Sequence, residues 1–279
     1  MKYIIVKALL GFGDRLESLM MYIKYALEHN LSIYVDWTDS VWSHGTENFY
    51  TYFKLINMPV LNCITDIPDD AKVYPSYWQG KLQDKLTYEI MNKDLDLGIL
   101  KGTYDCDVLV CSSHGYRELY NNLTFFANVF RVVDPRIIKK IDVSKKIGIH
   151  LRGTDRATRT DKGHRMAGMN IRMANAGVLQ GTQFIAVSDD LDYIKMWTAR
   201  YPHFPLLSNQ AGLGGREGNH NKPKESLSVS KDILNVNMLT DFFILMRCSG
   251  IISTSKDSRF TAEALRLHRY SSKILEMIS

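Results

Sequence analysis

The chain is poor in cysteine: Cys63, Cys106, Cys111 and Cys248 are its only four in 279 residues. That is too few for a disulfide scaffold, and their positions show no paired spacing for a metal. Free buried thiols in a reducing compartment are expected. Long apolar runs are also missing. None reaches the ~18 to 20 residues of a membrane span, and the run Tyr3 to Val6 is far shorter than a signal peptide requires. A soluble cytoplasmic protein is expected, with any membrane contact peripheral. The formal net charge of +5 slightly favours an anionic small ligand, but no Lys/Arg block suggests a nucleic-acid partner. No internal sequence repeat is present.

What is present is a repeated grammar of strand and helix. Tyr3 to Val6 reads as a buried strand, followed by the turn Leu10 to Arg15 and a helix with Leu16, Leu19, Met20, Ile23 and Leu27 at spacings of three and four. Asn30 marks its stop, and Leu31 to Trp37 is the next strand, completing a βαβ unit of the usual right-handed kind. Residues 38 to 105 are rich in aromatics and turn formers and read as loops and short helices over one face. Val108 to Cys111 is a further strand, and Leu119 to Val133 holds one helix. Asp134-Pro135 and the charged run Lys139 to Lys146 mark a domain boundary, after which the grammar restarts. Ile147 to Leu151 and Gln183 to Val187 are strands, with Ser188 and Asp189 capping the next helix. Leu213 to Lys224 reads as a mobile Gly-rich loop and Met238 to Arg247 as a very apolar helix. Gly250 to Thr254 is a last buried strand before a helix from Ser258 through His268. The expectation is an α/β chain of two Rossmann-like halves, residues 1–138 and 139–279, with the last helix able to pack back on the first half.

Several residues at the strand ends can carry chemistry. In Ile147 to Arg156 (IGIHLRGTDR) a strand runs into a turn holding His150, Arg152 and Asp155. Ligands of open α/β sheets bind beyond the carboxyl ends of strands, and a guanidinium there is a planar fork suited to phosphate. The plainer alternative is an Arg-Asp pair pinning the turn, with His150 a satisfied turn histidine. In Ile251 to Arg259 (IISTSKDSR) a strand leads into Ser253, Thr254, Ser255 and Ser258 at a helix start, where unpaired N–H groups favour phosphate. Alternatively, Ser258 simply caps the helix. Asp189 and Asp190 are as suited to a helix cap as to catalysis. Asp190-Leu191-Asp192 has the letters of a DxD metal motif, but it falls at a helix start rather than on a loop, so no metal is expected. Gly11 and Gly13 permit close backbone approach or form an ordinary tight turn. They do not open a GxGxxG dinucleotide fingerprint, since Leu16 stands where its last glycine would be.

Taken together these segments resemble the GT-B fucosyltransferases that use GDP-fucose, the superfamily of α1,6-, α1,2- and protein O-fucosyltransferases. IGIHLRGTDR is similar to the first motif, HxRxTD in the α1,6 branch. Phe184 to Pro202 resembles the second motif, and Leu234 to Leu265, with Asp241 and IISTSKDSRF, the third. GFGDR followed by a helix and YVDW resembles the N-terminal Gly-rich turn. Residues 38 to 130 carry no match.

The resemblance implies two Rossmann-like domains facing a cleft and an inverting, metal-independent transfer of fucose to a glycan hydroxyl. Arg152 would bind the β-phosphate and stabilise the departing GDP, His150 would contact the nucleotide, and Asp241 would read the guanine edge. Ser253, Thr254, Ser255, Ser258 and Arg259 would line the diphosphate, with Asp189, Asp190, Gly11 and Gly13 supporting the donor. Asp14 and Arg15 would lie on the acceptor side. Two departures stand out. Gly153 replaces the second of the branch's paired arginines, and Thr160 replaces an acid, which makes the adjacent Asp161 the candidate base and Asp155 the second. Absence of stem, SH3-like or transmembrane parts suits a bacterial or viral cytosolic enzyme. Another sugar nucleotide, a non-catalytic binding module and, given the missing fingerprint, a disfavoured oxidoreductase are the alternatives.

Overall fold

A computed structural model describes residues 1–93, 102, 104–112, 120–153, 159–176, 182–209 and 224–276. It divides into two compact units, Met1–Asp134 with Ser272–Ser279, and Pro135–Ser271.

The first unit opens with β1 (Tyr3–Lys7), α1 (Phe12–Glu28) and β2 (Ser32–Asp36). Asn30 takes a φ of 50°, the left-handed turn that ends α1 and that asparagine tolerates. Between the two long excursions of the chain lie α2 (Phe49–Tyr52), β3 (Phe53–Leu55), β4 (Val73–Tyr74), α3 (Tyr88–Met91) and β5 (Val108–Cys111). The unit closes with α4 (Thr124–Val129) and β6 (Phe130–Val132). The main sheet is parallel in the order β2-β1-β5-β4, while β3 and β6 pair antiparallel as a separate ribbon. Ile5, Val108 and Val110 pack under Trp78 and the loop residues Leu61 and Ile67, so part of residues 38–93 covers one sheet face, but the same stretch also supplies strands β3 and β4 where only loops and short helices are expected.

The second unit contains β7 (Ile147–Leu151), α5 (Arg159–Asn175), β8 (Phe184–Ser188), α6 (Leu191–Arg200), α7 (Lys231–Arg247), β9 (Gly250–Ser253) and α8 (Arg259–Leu267). A final turn of helix, α9 (Ser271–Ile274), leads into the tail grouped with the first unit, where Lys273 bonds Asn128. The sheet is parallel in the order β8-β7-β9, and Leu206 adds a bridge on the outer side of β8. On one face Met166, Met169 and Met173 of α5 join Tyr193 and Trp197 of α6 over Ile149, Leu151 and Ala186. On the other, α7 approaches so closely that a Cβ on Gly148 would lie 2.7 Å from Leu245 Cδ2.

Several expectations need correction. Helix α5 was not anticipated: its two glycines and many charges mask a methionine stripe at 166, 169 and 173. The cap of α6 is Asp190, whose carboxylate accepts the Tyr193 N–H, because Ser188 is still in the strand and Asp189 is engaged elsewhere. α7 starts at Lys231, with Ser230 as its cap, well before Met238. β9 is a half-buried edge strand rather than a fully buried one. Cys63 is exposed, although Cys106, Cys111 and Cys248 are buried, and all four are free. The Gly-rich loop expected at 213–224 falls at residues 213–223 outside the described residues. Among the described residues, no helix is long and apolar enough to cross a membrane.

Candidate functional site

In the second unit the carboxyl ends of three parallel strands bring polar groups together. Arg152 follows the last residue of β7, and its backbone N–H donates to Thr254 Oγ1 at 2.8 Å, which ties the turn after β7 to the turn after β9. The Arg152 guanidinium bonds Asp189, and Asp189 Oδ1 also accepts the Gly153 N–H at 3.0 Å. These two side chains are 25% and 24% exposed, so the pair is open to solvent. The partner comes from the turn after β8 rather than from the Arg152 turn itself, whose own Asp155 lies outside the described residues, and the pair leaves a partly exposed cation at a strand end.

Gly153 is sterically required. A Cβ there would sit 2.7 Å from Tyr193 Cδ2 and 2.8 Å from the Asp190 side chain. Neither neighbour can yield, since Tyr193 is fully buried and Asp190 both caps α6 and binds Lys162 Nζ at 2.6 Å. Asp190 therefore holds the scaffold. Lys162, on the first turns of α5, also reaches Asp192 at 3.1 Å. Burial pulls its pKa down, but bonds and charge from Asp190 and Asp192 outweigh this and raise it.

His150, the penultimate residue of β7, is buried. Its Nδ1 lies 2.7 Å from Thr261 Oγ1 of α8 and 3.4 Å from Ser253 Oγ. Burial, with a smaller contribution from the Arg152 charge, lowers its pKa to about 4 against an opposing pull from Asp189. The imidazole is therefore neutral at physiological pH. Ser258 caps α8 by accepting the Thr261 N–H at 3.3 Å, as its position predicted. Half-buried Ser255 donates its N–H to Ser253 Oγ at 3.2 Å, and Arg259 is exposed in the first turn of α8. The Ser253 carbonyl is taken by Arg172 of α5 at 2.5 Å.

Asp241 lies on α7. Its Oδ2 accepts from Ser208 Oγ at 2.5 Å, and Ser208 Oγ accepts the N–H of Ser188, the last residue of β8, at 2.7 Å. Burial raises the Asp241 pKa to about 8, helped by the charge of Asp189 and opposed by the Ser208 bond and Lys139. Its Oδ1 is covered and has no hydrogen-bond partner among the described residues.

The remaining expected site residues are placed differently. Asp161 stands exposed in the first turn of α5, where a carboxylate complements the helix dipole. Asp155 lies outside the described residues. Gly11, Gly13, Asp14 and Arg15 belong to the first unit. Gly11 is the N-cap of α1, while Gly13 and Asp14 lie within its first turn. Arg15 is buried: Nη1 and Nη2 meet Asp39 at 2.9 and 2.8 Å, and Nε donates to the Leu10 carbonyl at 2.7 Å. Its guanidinium pins the turn, so no part of it is presented to a ligand. Among the described residues, no three His, Cys, Asp or Glu side chains are grouped to hold a metal.

Reading the sequence did not single out Lys162, Ser208 or Thr261. Thr261 lies inside the third motif and could have been weighed there, while Lys162 stands six residues beyond the first, on a helix the sequence did not reveal. Ser208 has no local signal, because only the bridge of Leu206 to β8 brings it to Asp241.

No protein-family profile and no curated protein sequence matches the chain. Solved structures do. The fucosyltransferase NodZ from Bradyrhizobium superposes with a TM-score of 0.69 at 16% identity, over 99% of this chain and 94% of that one. NodZ α1,6-fucosyltransferase co-crystallised with GDP gives 0.68 at 17% identity, over 99% and 93%. Arabidopsis thaliana FUT1 in complex with GDP gives 0.52 at 13% identity, over 96% of this chain and 68% of that one. The chain thus has the GT-B fold of these fucosyltransferases, two parallel α/β units included.

Proposed function

We propose that this protein is an inverting, metal-independent glycosyltransferase that moves fucose from GDP-fucose to a hydroxyl of a glycan acceptor. One observation carries the reading: the ends of β7, β8 and β9 gather a solvent-exposed guanidinium, a neutral histidine, a hydroxyl-lined helix start and a carboxyl group into one corner. The fold shared with NodZ, which has been soaked with GDP-fucose, supports it.

The chemistry follows from where charge develops. Breaking the anomeric C–O bond leaves negative charge on the β-phosphate and positive charge on the sugar ring, so the donor side needs a cation and N–H donors aimed at phosphate. Arg152 supplies the cation. The start of α8, with Ser255, Ser258 and Arg259, supplies donors and the positive end of a helix dipole. Asp189 holds the guanidinium in place until phosphate takes over part of its bonding. Asp241 receives the guanine edge, and His150 contacts the nucleotide as a neutral donor or acceptor. The acceptor hydroxyl must lose a proton as it attacks, and Asp161 is the base assigned to it, with Asp155 second.

Titration of the protein with GDP and GDP-fucose in the presence of EDTA tests the donor site. Both should bind, and Arg152→Ala should weaken binding by about 1.5–3 kcal/mol, the scale of a charged hydrogen bond. Unchanged binding in that variant removes Arg152 from the site. A protein that binds GDP-fucose but releases no GDP with any glycan offered is a binding module instead. For the base, Asp161→Asn should lower turnover by roughly 10²–10⁴-fold while leaving GDP affinity intact. Full turnover in that variant would exclude Asp161.

A further inference from the structure

Helix α7 is apolar almost all round: Leu234, Leu239, Phe242, Phe243, Ile244, Leu245 and Met246 are buried. Among its polar side chains, which include the buried Asn235 and Thr240, Asn237 and Asp241 lie one turn apart and are both half-buried. Residues four apart lie on the same face of a helix, with Cβ atoms about 5–6 Å from each other. Each of the two has a covered polar atom with no hydrogen-bond partner among the described residues: Asn237 Nδ2, a donor, and Asp241 Oδ1, an acceptor in the carboxylate form. A buried donor or acceptor left unpaired costs on the order of 1–3 kcal/mol, so one of each on the same face calls for an explanation.

Their position along the helix gives one. Asp241 is fixed to the carboxyl end of β8 through Ser208. α7 runs back toward the start of β9, so Asn237, one turn nearer its N-terminus, lies farther out beyond the strand ends, where ligands of such sheets bind. Ser208 occupies Oδ2 and leaves Oδ1 as the acceptor for a ligand. A guanine presents an acceptor, O6, beside two donors, N1–H and N2–H, along one edge. An amide donor and a carboxylate acceptor one helical turn apart match that edge.

The geometry points to Asn237 as a specificity-determining residue that donates to O6 of the guanine whose N–H groups Asp241 accepts. This rests on the guanine-nucleotide reading above, and adds the residue that completes recognition of the base. A site built to bond a particular polar group rejects analogues that lack it.

The test is titration of wild type, Asn237→Ala and Asn237→Leu with GDP, IDP, ADP and the diphosphate of 2-aminopurine riboside, which has neither O6 nor the N1 proton, so that the change caused by each variant, not the wild-type loss, reports the O6 contact. Both variants should lose about tenfold in affinity for GDP and for IDP, one hydrogen bond's worth, and nothing for the 2-aminopurine nucleotide. Equal losses for all purines, or none for GDP, would overturn the assignment, since a merely structural role cannot tell O6 from hydrogen. If neither variant folds, wild type decides alone: equal affinity for GDP and the 2-aminopurine diphosphate refutes the O6 contact. Wild type binding ADP as tightly as GDP, or not binding GDP, would instead bring down the guanine reading itself.

Discussion

The two units share the strand pattern in which a second strand and a third flank the first, yet they treat charge at the strand ends in opposite ways. In the first unit Lys7 ends β1 and Asp36 ends β2. They pair with each other, Lys7 also donates to the Asp84 carbonyl at 2.7 Å, and its ammonium lies 4.9 Å from the Trp78 ring centroid. Arg15 and Asp39 form a second pair, flanked by Trp37 and Trp42. All four charged side chains are 5% exposed or less. In the second unit the Arg152–Asp189 pair is about a quarter exposed, and Asp241 and His150 have pKa values moved toward their neutral forms. The first unit therefore seals both of these pairs, whereas the second seals Lys162 with Asp190 but leaves Arg152 and Asp189 partly exposed. One local difference is aromatic cover: tryptophans lie over Lys7 and Arg15, whereas the Arg152 guanidinium bonds a partly exposed carboxylate.

That contrast can be broken by mutation. Arg15→Ala leaves Asp39 buried without its partner and should cost about 3–5 kcal/mol of unfolding free energy by urea denaturation. Arg152→Ala removes one side of an exposed pair and should cost less than about 1 kcal/mol in the same assay. Equal costs would show that both arginines are structural.

pH sharpens the contrast. A histidine whose pKa is lowered by folding stays neutral in the native state while the unfolded chain takes up a proton. His150 thus makes stability fall as pH drops from 6.5 toward about 4, by an amount on the order of 3 kcal/mol across that window. Asp241 acts in the opposite sense. Its raised pKa means the native state keeps a proton that the unfolded chain has lost, so stability falls as pH rises from about 4 to about 8. Asp241→Asn keeps an acceptor for Ser208 and should stabilise the protein by about 1–2 kcal/mol near pH 8, in the range of a functional residue traded for stability. In that variant the slope due to His150 should emerge alone in urea melts between pH 4 and 6.5; a flat profile there would reject the lowered histidine pKa.

A further effect concerns ligand binding. Guanine donors require the carboxylate form of Asp241, so GDP affinity should rise with pH up to about 8, by at most about tenfold per unit. Calorimetry in buffers of different ionisation enthalpy should detect the proton released near pH 7. No release would mean that Asp241 does not meet the base.

Much of this was legible from periodicity. The strands β1, β2, β5, β7 and β8 stand within a residue or two of their apolar runs, because a buried parallel strand must be continuously apolar. The motif residues His150, Arg152 and Ser258 were identifiable by their places at strand and helix ends, whereas Asp241, in the middle of α7, was marked only by the family resemblance. α5 was not: its core contact is a stripe of three methionines among charged residues. The late start assigned to α7 also hid Asn237, and with it the spacing of four that pairs it with Asp241.

The sequence by itself determined the order of the long buried strands, the parallel α/β class and which strand ends carry polar groups, since these depend on local apolar period and turn chemistry. Tertiary structure alone decided which charges are sealed and which are presented. It made Asp190 a scaffold and Asp189 the partner of Arg152, buried Arg15 against Asp39, and brought Ser208 to Asp241 across 33 positions of chain. Burial and pairing arise between residues distant in sequence, so no local pattern can encode them.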